Sequence, residues 1–123
     1  MKIFIILGAI NAFLAVALGA FGAHGLADKL EPKYLDIWKT GVTYQMFHAT
    51  GLLVIGLLVG KIAQSSLFMW SGWLMLIGII LFSGSLYILS VTKIGILGAI
   101  TPLGGLCFLA SWVLVIIGAV KHL

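Results

Sequence analysis

Residues Ile62–Thr92 read IAQSSLFMWSGWLMLIGIILFSGSLYILSVT, 31 residues without one charged side chain. A helix crossing a bilayer needs about 20 mostly apolar residues. This stretch is long enough to cross once and too short to cross twice. On either side lie three more uncharged stretches: Ile3–Ala27, Thr40–Gly60 and Ile94–Val120. Each also supports one crossing. The spacing predicts an all-α fold, an integral membrane four-helix bundle with antiparallel up-down topology. The expected spans are about 3–25, 36–60, 67–91 and 98–120, in a single domain covering 1–123.

Composition excludes the soluble alternative. Charged residues make up 8% of the chain and hydrophobic residues 63%. A soluble domain carries about 25% charged residues, and at this size would otherwise expose contiguous apolar patches. The net charge of +4 does not point to nucleic acid, because the lysines stand singly at helix boundaries. There they serve as interface anchors. The sequence has no Arg, so it lacks the usual bidentate clamp for phosphate. Cys107 is the single cysteine, which excludes an intramolecular disulfide. The first span has a charged start and small residues near Ala15, as a signal peptide does. Its apolar run continues past the usual length of such a segment, and it is expected to remain as a helix.

The connection Leu26–Lys39 differs from the others. It holds all three acids, Asp28, Glu31 and Asp36, and three lysines. Leu26, Leu30, Tyr34, Ile37 and Trp38 recur at helical spacing, and Pro32 suits the first position of a helix. This predicts an amphipathic interfacial segment running into the second span, with Tyr34 and Trp38 at headgroup level. Lys61–Ser66 reads as a polar turn. Lys2, Lys61 and Lys121 fall on one membrane face, and Lys29, Lys33, Lys39 and Lys93 on the other. The face with the termini has no acids, which favours termini on the cytoplasmic side of the cell membrane.

Lipid does not drive helices together by hydrophobicity, so close backbone approach must. Gly8, Ala12, Ala15 and Gly19 form a small-residue stripe on span one. Gly56 and Gly60 form a GxxxG pair on span two. Ser71, Gly78 and Ser85 repeat every seven residues on span three, and Gly104, Ser111 and Gly118 do so on span four. Such stripes fit either a compact bundle or a homo-oligomer or membrane-protein partner.

Polar groups in hydrocarbon need partners or a function. His24, Tyr44, Gln45, His48, Ser83, Ser85, Tyr87 and Thr101 all fall in the membrane half nearest the first loop. Tyr44 and Gln45 lie about one turn before His48, so the three share a face. At about 1.5 Å per residue, His48 lies roughly 13 Å below Lys39. Two readings fit these residues: a structural polar network, or a pocket for a ligand, lipid or ion. No catalytic residue, metal ligand set or cofactor is assigned. Ser83-Gly84-Ser85 is not a nucleophile elbow, and no P-loop, dinucleotide fingerprint or HExxH is present. His24 and His48 alone make an incomplete set for haem or metal.

The same residues lie in four motifs: GAFGAHGL (19–26), WKTGVTYQMFHA (38–49), FSGSLY (82–87) and ITPLGG (100–105). Together they resemble an uncharacterised bacterial membrane family filed as domain of unknown function 423. The resemblance covers nearly the whole chain. It implies a four-span inner-membrane protein with no assigned activity, and small eukaryotic membrane proteins as distant relatives. It supplies no catalytic residues. The expected role is non-enzymatic, through helix packing with the chain itself, a membrane partner or lipid. The alternatives are a small transporter or channel, or a lipid or cofactor binder using the region of His24 and His48.

Overall fold

The structure, a computed structural model, describes residues 2–62 and 66–123. Residues 63–65 of the predicted Lys61–Ser66 turn lie outside the described residues. The described chain is helical, with four helical spans long and apolar enough to cross a membrane. Helix α1 (Lys2–Phe21) ends in a π turn (Gly22–Leu26). Helix α2 (Pro32–Lys61) is the second span. Helix α3 (Ser66–Gly78), a π turn (Ile79–Ser83) and α4 (Gly84–Thr92) form the third. A 3₁₀ turn (Gly95–Ala99) leads into α5 (Thr101–His122).

Helix α2 starts on Pro32, whose missing N–H costs nothing at a helix start. Its 30 residues extend about 45 Å at 1.5 Å per residue, against a hydrocarbon core of about 30 Å. The helix is thus longer than the core is thick, and no break separates its polar first turns from the apolar span. Helix α4 stops at Lys93, whose φ of 61° is left-handed and whose N–H caps the Leu89 carbonyl. Lys93 also reaches Glu31 at 3.5 Å, joining the end of the third span to the start of α2.

Helix α2 and the third span form the central pair. Helix α1 packs along α2, and α5 packs along the third span. Among the described residues α1 and α5 do not pack along one another. Small residues make each seam. On α1, Gly8 faces Ala49 and Leu53, Gly19 faces Val42, Ala15 is fully buried and Ala12 half-buried. On α2, Gly56 lies under Ile5, whereas Gly60 is exposed. Gly78 receives the ring of Phe108, and Gly104 meets the backbone of Phe82.

Between those two glycine contacts and the end of the seam lies a reciprocal clasp. Ser71 Oγ donates to the Ser111 carbonyl at 3.0 Å, and Ser111 Oγ donates to the Ser71 carbonyl at 2.7 Å. Two seven-residue repeats thus meet in antiparallel register. The apolar core, including Phe4, Leu52, Ile55, Phe68, Met75, Ile79 and Phe108, fills the space around the central pair.

Trp38, expected near headgroup level, turns its ring inward against α1. It is 5% exposed, and its indole Nε1 donates to the Leu18 carbonyl at 3.0 Å. Gly22 supplies the room, since a Cβ there would lie 2.6 Å from Trp38 Cδ1. An indole that finds a buried acceptor gains both packing and a hydrogen bond, so the ring turns inward.

Candidate functional site

The predicted polar residues divide into separate groups. Asn11, Gln45 and Tyr87 link the first three spans. Tyr87 Oη donates to Gln45 Oε1 at 2.7 Å, and Gln45 Nε2 donates to Asn11 Oδ1 at 3.1 Å. Asn11 Nδ2 then donates to the Leu7 carbonyl at 2.9 Å. These partners fix the orientation of both amides. Gln45 is 4% exposed and Asn11 8%, so each bond replaces water that neither group can reach.

Replacing Gln45 with leucine removes an acceptor from Tyr87 and a donor from Asn11. The expected cost is about 2 kcal/mol, from leaving buried groups unpaired. Tyr87→Phe added to Gln45→Leu should cost less than it does alone. A double-mutant cycle in mixed micelles should give a coupling of about 0.6–1.7 kcal/mol. Strict additivity would count against the linkage.

A second group joins α2 to α5. The Trp112 indole donates to His48 Nε2 at 3.1 Å. An indole N–H can only donate, so Nε2 accepts and the imidazole proton sits on Nδ1. Nδ1 donates to the Tyr44 carbonyl at 2.8 Å. His48 is thus a neutral imidazole with both nitrogens engaged, a tautomer assigned from its partners. The Phe108 ring stacks on it, with centroids 3.6 Å apart and planes 8° from parallel.

Ser83 and Ser85 bond across helices. Ser83 Oγ donates to the Gly41 carbonyl at 2.7 Å. Ser85 Oγ donates to the Phe82 carbonyl, so Thr101 is the donor in the 2.6 Å pair between Thr101 Oγ1 and Ser85 Oγ. Phe82 and Ser83 lie in the π turn, where Gly84 N–H donates to Ile79 five residues back. Single π turns in helices often mark functional places.

His24 does not join these groups. It is exposed, and among the described residues its side chain makes no hydrogen bond. Gly22 is the residue of that turn packed on Trp38, and two residues later the chain has passed to the outer face. His48 is ten residues beyond Trp38 on α2, about 15 Å along the axis. The pairing of His24 with His48 is therefore not made. Among the described residues no three His, Cys, Asp or Glu side chains gather in a group that could hold a metal ion. The Tyr44 ring stands outward, 41% exposed, against Phe82.

Two participants were missed from sequence. Asn11 shares a face with Gly8 and Ala15, which was a usable signal. Trp112 carries an indole N–H that demands a partner when buried.

The His48–Phe108 stack forms the floor of a lateral groove of about 770 Å³ between α2 and α5. Its walls include Phe47, Phe82, Leu106, Leu109 and Trp112, and Thr43 and Pro102 lie towards the first-loop side. With both His48 nitrogens engaged, the groove offers chiefly hydrocarbon and ring surface. It suits an apolar chain and has little to orient a polar substrate.

The protein-family model described as "Protein of unknown function (DUF423)" matches residues 18–105. The chain is 62% identical to the UPF0382 membrane protein YwdK of Bacillus subtilis, over all of both chains. It is 56% identical to a UPF0382 membrane protein of Staphylococcus epidermidis, over 98% of each chain. A UPF0382 membrane protein of Staphylococcus saprophyticus is 55% identical, over 98% of this chain and 99% of its own. No solved structure matches. The predicted resemblance therefore holds, and this four-span chain belongs to the DUF423 family of membrane proteins of unknown function.

Proposed function

We propose that the protein acts in the bilayer without catalysing a reaction, by engaging lipid acyl chains in the α2–α5 groove. The observation that carries this is the state of His48. Its two nitrogens are bonded to Trp112 and Tyr44, and its face is covered by Phe108. The histidine of the groove is thus part of its floor. The packing stripes support the same reading over self-association, because Gly8, Gly19, Gly78 and Gly104 are taken up by contacts inside the chain. The remaining apolar concavity faces the hydrocarbon that surrounds the bundle.

Phosphatidylcholine carrying a photoactivatable acyl chain tests this in reconstituted liposomes. Label should concentrate on Phe47, Leu106 and Leu109, and fall at least severalfold in Leu106→Trp, which fills the groove. Label spread evenly to outward residues such as Phe13 and Val120, which are 72% and 81% exposed, would sink the proposal. Proton-driven solute flux abolished by His48→Ala would replace it with the transporter reading.

A further inference from the structure

The two membrane faces of the molecule carry different charge. All three acids lie between Asp28 and Asp36. The face where the termini emerge has Lys2, Lys61 and Lys121 and no Asp or Glu side chain. On that face a cleft of about 540 Å³ opens between α1 and α2. Ile5, Ile6 and Leu57 line its sides with Gly56 and Gly60, and Lys2 and Lys61 both contribute to its lining.

The glycines explain why the cleft exists. Ile5 occupies the place where a Gly56 side chain would go, with its Cδ1 2.7 Å from the position of a Cβ. Gly60, one turn further, is exposed. The second half of the GxxxG pair thus opens a trough where a larger residue would close it. Both lysines are exposed, and neither forms an ion pair among the described residues.

An apolar trough bordered by two ammonium groups, at the level where hydrocarbon meets headgroups, complements a molecule with an anionic head and an apolar chain. We propose that this cleft binds an anionic phospholipid of the bilayer. The phosphate lies at the Lys2 and Lys61 ammoniums, which bind phosphate as point charges, and an acyl chain follows Ile5, Ile6 and Leu57. This site is separate from the α2–α5 groove and does not depend on it.

The test is native mass spectrometry of the full chain in neutral detergent. It is titrated with phosphatidylglycerol and with phosphatidylcholine of the same acyl chains. Phosphatidylglycerol should be retained at lower concentration. Lys2→Gln and Lys61→Gln should each reduce that preference about fivefold, from about 1 kcal/mol per lysine at an anionic surface. Gly60→Leu, at an exposed position, should reduce retention of phosphatidylglycerol by filling the trough. Equal retention of the two lipids would overturn the proposal. So would an equal loss of preference in Lys29→Gln with Lys33→Gln on the opposite face, or unchanged retention in Gly60→Leu.

Discussion

Gly104→Leu is expected to separate α5 from the third span. A Cβ at Gly104 would lie 2.8 Å from both Cα and Cβ of Phe82, and closer still to its backbone nitrogen. A flexible side chain could move aside, but backbone in the middle of a span cannot do so cheaply. Overpacking a filled interior costs about 1–3 kcal/mol, and alanine here should already fall at the top of that range. Leucine should exceed it, pushing apart the Gly78–Phe108 contact and the Ser71–Ser111 clasp along the same seam. Unfolding by a denaturing detergent in mixed micelles would measure the loss. Gly84→Ala is the matched control, since nothing lies within 4 Å of its Cβ position. It should be neutral or stabilising by up to about 1 kcal/mol, because alanine restricts the unfolded chain. Similar behaviour of the Gly104 and Gly84 variants would show that the close approach does not matter.

Trp38→Ala is expected to have the other large effect. The indole is buried between α1, α2 and α4, with its ring 4.7 Å from that of Tyr87 and 6.0 Å from that of Phe21. Removing a buried Trp side chain costs about 3–5 kcal/mol. Trp38→Phe separates packing from the hydrogen bond to Leu18. It should recover most of the stability and retain a deficit of about 0.5–1.5 kcal/mol, plus any difference in ring volume. The same unfolding titration reads both. If Trp38 anchored the protein at the headgroups, Ala and Phe would each cost little in micelles, and that result would remove the buried-keystone account.

The four spans were legible because bilayer thickness imposes a length and charge marks its limits. Ile62–Thr92 had no other plausible use. The small-residue stripes were legible as contact faces, but their partners were not. Ser71 and Ser111 could have faced a second copy, and only the antiparallel register of the third span with α5 brings them together. Grouping polar residues by depth placed His24 with His48, although they lie at different levels and only His48 points inward. Asn11 falls outside that depth grouping, and only the face it shares with Gly8 and Ala15 marks it. The inward packing of Trp38 was not legible, because tryptophan near a lysine cluster usually marks the interface. Here Gly22 leaves a space that the indole fills. The π turns at Gly22–Leu26 and Ile79–Ser83 had no sequence signature, because they depend on packing between helices.

The arrangement of the seams bears on how the molecule is made. Each extended seam joins a span to the one synthesised just before it: α2 to α1, the third span to α2, and α5 to the third span. Contacts that skip a span are made by individual side chains, such as Phe4 with Trp73 and Trp112 with His48. A chain leaving the ribosome can therefore close each interface as soon as its second member enters the membrane. No early helix has to wait unpartnered for a late one, and contacts local in sequence form fastest. The His48–Trp112 bond waits for α5, so the groove takes its final shape only when synthesis is nearly complete.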